Sequence, residues 1–111
     1  MDCVFCQIVR RDIPATVVLE DDNLIAIKDI NPQPPTHLLI IPKKHYATLL
    51  ECKDPALLGN MLLMAVDLSK KLGINETGFR VVINTNKDGG QTVFHLHMHL
   101  LGGKPLSDRM A

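Results

Sequence analysis

The sequence predicts an α+β fold, a five-stranded antiparallel sheet carrying one short and one long helix. Three observations lead there. Five short runs rich in Val, Ile and Leu are separated by turn residues, and one long stretch carries sustained three- and four-residue apolar spacing. The order is short helix, strands, long helix, strands, which suits helices packed on an antiparallel sheet better than alternating βαβ units. At 111 residues and 46% hydrophobic composition, the chain is expected to be a single domain, 1–111, with an ordinary core. Aromatics are only 4% and Trp is absent, so that core must be aliphatic.

Each element has a local cause. Asp2 is placed to cap a short amphipathic helix from about Cys3 to Arg10, with Val4, Phe5, Ile8 and Val9 on its apolar side. Thr16–Glu20 and Leu24–Asp29 read as a hairpin joined by Glu20-Asp21-Asp22-Asn23. Ile30 to Thr36 holds three prolines, which preclude helix and ladder alike, and His37–Ile41 follows as an apolar strand. Asp54-Pro55 is a helix start, an N-cap followed by Pro at the first helical position. Leu58, Met61, Leu62, Ala65, Leu68 and Leu72 then form a core-facing stripe that Gly73 ends. Phe79–Asn84 and Val93–Leu101 complete the sheet on either side of a Gly-rich loop.

Composition narrows the function. Twelve basic residues balance twelve acidic ones, so the chain lacks the positive footprint of a nucleic-acid binder; a small ligand is favoured over a polymer. No apolar run approaches the ~20 residues of a membrane span, and no secretory signal is visible. Three cysteines is an odd count, and Cys3 and Cys6 form a Cys-x-x-Cys too close for an ordinary staple. A reducing, cytoplasmic setting follows, with metal binding or idle thiols both open.

The chemistry concentrates in His95-Leu96-His97-Met98-His99. On a strand, alternate side chains share a face, so the imidazoles line one side while Leu96, Met98 and Leu100 point to the other. Residues i and i+4 lie ~13 Å apart on a strand, too far for three parallel imidazoles to converge on one ion with bonds of ~2 Å. Separate tasks along one bound substrate fit better: nucleophile, charge stabiliser and proton donor. The preceding Asp88-Gly89-Gly90-Gln91-Thr92 offers close backbone approach and a hydroxyl, a cradle for one or two phosphates.

His95-Leu96-His97-Met98-His99-Leu100-Leu101 resembles the His-x-His-x-His pattern of the histidine-triad (HIT) superfamily. Gly89-Gly90-Gln91-Thr92-Val93-Phe94, the segment Asp29 to His37, and Ile41-Pro42-Lys43-Lys44-His45 match it too, so the likeness runs from about Val4 to Gly103. It is most similar to the Hint branch and its short bacterial purine nucleoside phosphoramidases. The resemblance implies one HIT domain that cleaves the P–N bond of purine nucleoside 5′-phosphoramidates through a nucleotidyl-histidine, with no cofactor in catalysis. His97 would be the nucleophile, with His99 and Thr92 contacting phosphate and helping protonate the amine, and His37 close behind. Asp29 would hold the ribose hydroxyls, while Ile8, Ile27, Ile30 and Leu39 wall the purine. Asn84 and the backbone around Gly90, Gln91 and Val93 would hold phosphate oxygens. A homodimer joined through the long helix and fourth strand, with one sheet continuous across it, is also implied.

Two other functions stay open: a dinucleoside polyphosphate hydrolase, and a purine-nucleotide-binding regulatory module with incidental turnover. A structural zinc held by Cys3, Cys6, His45 and His95 is a further expectation, resting on a sound tetrahedral ligand set. Its alternative is that the two cysteines merely flank Val4 and Phe5 in a helix. Cys52 has no assigned role.

Overall fold

The computed structural model describes residues 3–29 and 35–107. In chain order these form α1 (Val4–Val9), β1 (Val17–Glu20), β2 (Leu24–Lys28), β3 (Thr36–Pro42), a 3₁₀ turn (Leu49–Glu51), α2 (Pro55–Lys71), β4 (Phe79–Val82) and β5 (Met98–Gly102). Asp21 makes the first reversal: its Oδ1 accepts the Asn23 and Leu24 amides at 2.8 Å, folding β2 back on β1. All neighbouring pairs are antiparallel, in the order β1-β2-β3-β5-β4. The expected five-stranded sheet with a short and a long helix is therefore what the chain forms.

Both faces of the sheet are covered at its centre. On one side α2 lays Leu57, Met61, Met64, Ala65 and Leu68 against Leu24, Ala26, Leu38, Ile40, Met98 and Leu100. On the other, Phe5 and Ile8 of α1 pack on Ile25, Ile27, Leu39 and Ile41. That double cover explains why Leu24-Ile25-Ala26-Ile27 is a continuous apolar run with every residue buried. Asp54 caps α2 by accepting the Leu57 amide at 3.0 Å, with Pro55 opening the helix as expected.

Several expectations need correction. Asp2 lies outside the described residues, and the residue at the start of α1 is Cys3, whose side chain makes no capping bond. The proline-loop residues Ile30 to Pro34 also lie outside them. On α2 the core stripe is turned slightly: Leu62 and Leu72 are exposed at 50% and 43%, while Leu57 and Met64 are buried in their place. The last two strands are shorter than expected. Pairing between β4 and β5 runs only from Phe79↔Gly102 to Val82↔His99. The Leu96 amide is taken by the Tyr46 carbonyl at 2.7 Å, so the chain before Met98 is held outside the ladder.

Candidate active site

The segment entering β5 bends at residues 93–95 and joins the sheet only at Met98. Leu96, Met98 and Leu100 still alternate into the α2-side core. His95 and His97 are buried on the α1 side: Phe5 meets both rings edge-on, at 5.9 Å and 5.1 Å between centroids. His99 continues the row, its ring 5.0 Å from that of His97.

The three imidazoles divide their work. His97 Nδ1 lies 2.7 Å from the His95 carbonyl, an acceptor, so Nδ1 carries the proton and Nε2 is left with a lone pair. Burial pushes the His97 pKa down, partly countered by that backbone bond and by the charge of Asp29, so the ring is neutral at pH 7. His99 is driven down to about 4, first by burial and then by His97 and His37. Its Nδ1 sits 2.9 Å from His37 Nε2, which is itself 3.3 Å from Asp29 Oδ2. With the carboxylate beside it, His37 Nε2 is the nitrogen that carries the proton. It donates to His99 Nδ1, which places the proton of neutral His99 on Nε2.

A cavity of about 820 Å³ opens over this row. Its apolar lining includes Phe5, Ile8, Ile27 and Leu39. Asp29, Thr92, Val93, His97 and His99 line the same cavity, so one space brings together an apolar wall, a carboxylate, a hydroxyl and two imidazoles. Ile30, expected in that wall, is outside the described residues. A second cavity of about 380 Å³, lined by Arg80, Asn84 and Lys104, shares His99 with the first and includes His37.

Two amides of the Gly-rich loop close its own turn. The Gly90 amide donates to the Lys87 carbonyl and the Gln91 amide to the Asn86 carbonyl, each at 3.0 Å, so neither is directed at a ligand. Gln91 is buried: its Nε2 donates to the Ala47 and Val93 carbonyls and its Oε1 accepts the Asn86 amide. It fixes the loop. Asn84 lies in the second cavity and donates to the Gly89 carbonyl at 2.7 Å, which makes it a brace for the same turn.

On the far side of the row, Cys3, Cys6, His45 and His95 bring four ligand atoms within 4.8 Å of one another. Three sulfur–nitrogen separations, Cys3–His95, Cys6–His45 and Cys6–His95, are 3.3–3.5 Å, and the two Nδ1 atoms are 3.2 Å apart. A tetrahedral zinc with bonds of ~2.3 Å to sulfur and ~2.05 Å to nitrogen needs edges of ~3.6 Å and ~3.3 Å. His95 Nε2 donates to the Pro42 carbonyl at 2.7 Å, which turns the unprotonated Nδ1 toward the thiols. The donor set fits the ion.

The resemblance put Ile8 of α1 in the purine wall, and it lines the large cavity; the rest of the contribution from this end of the chain was missed. Val4 and Phe5 line the large cavity, as do Pro14, Ala15 and Thr16. The apolar stripe of α1 was the available signal, but a stripe alone does not distinguish a core helix from a cavity wall.

Comparison with known proteins agrees with this geometry. A family model described as "HIT domain" matches residues 10–106. The purine nucleoside phosphoramidase of Escherichia coli K12 is 44% identical over 112 residues, covering 99% of this chain and 94% of that protein. The crystal structure of a HIT family hydrolase from Legionella pneumophila superposes with a TM-score of 0.94 at 51% identity, covering 96% of this chain and 97% of the other. A zinc-bound histidine triad family protein from Mycobacterium smegmatis has a TM-score of 0.84 at 34% identity, covering 100% and 81%.

Proposed function

Since the chain belongs to the HIT domain family, we propose that it hydrolyses purine nucleoside 5′-phosphoramidates to a nucleoside monophosphate and an amine. The single observation that carries the reading is the 2.7 Å bond from His97 Nδ1 to the His95 carbonyl. It leaves Nε2 as a neutral nucleophile in a ring that lines the cavity.

Substrate lies with its base against Ile8, Ile27 and Leu39 and its ribose hydroxyls at Asp29. His97 Nε2 attacks phosphorus; the P–N bond to the amine breaks, and His99 Nε2 delivers its proton to the departing nitrogen. Water then attacks the nucleotidyl-His97, returning a proton to His99 and releasing the monophosphate. Thr92 steadies a phosphate oxygen. As the His99 Nε2 proton leaves for the amine, His37 Nε2 passes a proton to His99 Nδ1, so His99 stays neutral. The relay requires His37 to enter the step as the imidazolium paired with Asp29, and the proton taken from water in the second step runs back along the same path. These steps draw on side chains and water alone.

Two finer features belong to the same reading. Cys3, Cys6, His45 and His95 hold a structural zinc, which supplies a cross-link between α1 and the segment entering β5. The protein is a homodimer through α2 and the edge strand β4. Its support is exposed Leu62 and Leu63 on α2, at 50% and 62%, beside an apolar cavity of about 310 Å³ walled by Leu58, Leu62, Val81 and Ile83.

The test is rapid mixing with adenosine 5′-phosphoramidate followed by intact-mass and peptide mass spectrometry. The wild type should gain one adenylyl group on the peptide carrying His97, and His97→Ala none. An adduct on another histidine, or turnover retained in His97→Ala, refutes the assignment.

A further inference from the structure

The cluster formed by Asp29, His37 and His99 has a property that proton transfer does not require. One ligand-capable atom from each of the three residues lies within 4.8 Å of the other two. His37 Nε2 is 2.9 Å from His99 Nδ1 and 3.3 Å from Asp29 Oδ2. Metal bonds of ~2.1 Å at angles of ~90–110° require ligand separations of ~2.9–3.4 Å, so both contacts already have the length of coordination edges. Two imidazoles and one carboxylate, with positions left for water, are a donor set for divalent metals of borderline softness.

We propose that Asp29, His37 and His99 form a second metal site, taking a divalent transition-metal ion such as zinc, cobalt or nickel in competition with substrate. The ion replaces the proton shared between His37 and His99, binding His37 Nε2, His99 Nδ1 and Asp29 Oδ2. His99 lies in the wall common to the two cavities, so water reaches the remaining coordination positions from both sides. The site is distinct from the cysteine cluster: no residue is shared, and its ligands are nitrogen and oxygen only.

Its effect on the enzyme is inhibitory. An ion on Asp29 withdraws one carboxylate oxygen from the ribose hydroxyls, and an ion on His99 Nδ1 fixes the ring that must exchange a proton. Nucleoside and metal therefore exclude one another. That competition, though not the site itself, rests on the nucleotide-cleavage reading above.

Cobalt(II) separates the two sites in one titration, because a thiolate ligand gives an intense sulfur-to-metal charge-transfer band that nitrogen and oxygen ligands lack. Metal-stripped protein is titrated with Co²⁺ and followed by absorption and equilibrium dialysis. One bound cobalt without the thiolate signature is expected, alongside one with it. His37→Ala and Asp29→Asn should each weaken the former at least tenfold and leave the thiolate band at full height, which also reports that the fold is intact. Adenosine, with a ribose diol and little affinity for metal, should weaken the same ion and spare the other. Failure to find any cobalt lacking the thiolate signature overturns the proposal, as does a second cobalt indifferent to both substitutions. Adenosine that binds by calorimetry without displacing cobalt overturns the competition. If adenosine does not bind, the nucleotide reading fails, and the two substitutions decide the metal site unaided.

Discussion

Gly89→Ala places a single methyl group where the turn has no room. A Cβ at residue 89 would lie 2.4 Å from the Thr85 carbonyl oxygen and 2.8 Å from the Thr85 amide nitrogen. Ordinary contact begins at 3.4 Å, so the strand of chain at Thr85 must retreat by 1.0 Å, the difference between 3.4 and 2.4. Both obstacles are main-chain atoms, so no side-chain rotation relieves them. Overpacking of this kind costs ~1–3 kcal/mol. The displaced turn carries the Asn84–Gly89 brace and the Gln91 anchor, and Gly89 and Gln91 lie three and one residues before Thr92. A misplacement of ~1 Å at a reacting group costs ~10²-fold in rate, and a loss of that order in kcat is expected here with nucleotide affinity changed far less. Gly90→Ala is the control. Residue 90 has φ +81°, and a Cβ there would meet only Asn84 Nδ2 at 3.8 Å, an ordinary contact, so only the left-handed backbone is penalised, at ~1–2 kcal/mol. Urea denaturation and steady-state kinetics on the pair decide the matter. A Gly89→Ala enzyme as stable and as active as the wild type would show that the turn yields, and that it does not set the position of Thr92.

Other outcomes follow from the site. Asp29→Ala should narrow the preference for ribo- over 2′-deoxyribo-substrates, because a buried acceptor deprived of one hydroxyl costs ~1–3 kcal/mol and alanine has no acceptor to leave unpaired; kcat/KM for the two substrates measures it. Protein purified without chelator should contain one tightly held zinc per chain by elemental analysis, and Cys3→Ser should lose both that zinc and thermal stability. Leu62→Glu should halve the mass seen by sedimentation while leaving the far-UV spectrum unchanged. Phe5→Ala, which removes a ring packed edge-on against His97, should cost ~3–5 kcal/mol and lower kcat along with stability.

Legibility in the sequence followed the range of the interaction. The Asp54-Pro55 start, the Asp21 reversal and the alternation of Leu96, Met98 and Leu100 are settled within a few residues, and each is realised. Strand ends were misplaced where a distant partner intervenes: the Tyr46 carbonyl takes the Leu96 amide, and nothing near residue 96 announces it. The bracing role of Gln91 was missed for the same reason, since Ala47, which accepts its side-chain proton, is 44 residues away. The amide of Gly90 looked available because a glycine signals close approach, but the turn itself consumes it. The short helix α1 was found and the resemblance put Ile8 in the purine wall, yet the share that Val4 and Phe5 take in that wall depends on the sheet α1 lies across. At the row of histidines, spacing alone put all three rings on one face; it could not show that His95 turns to the thiols while His97 and His99 turn to the cavity.

The proton on His97 Nδ1 is held by a main-chain oxygen, and every amino acid has one. Enzymes that orient a histidine with an aspartate can lose the right tautomer to a single codon change. Here no substitution at residue 95 deletes the acceptor, because the carbonyl stays whatever side chain is attached. The tautomer of the proposed nucleophile is thus insulated from drift in its immediate neighbour, and residue 95 is at liberty to be selected for something else. A family built this way can gain or discard a metal ligand at that position over evolutionary time without re-solving its chemistry.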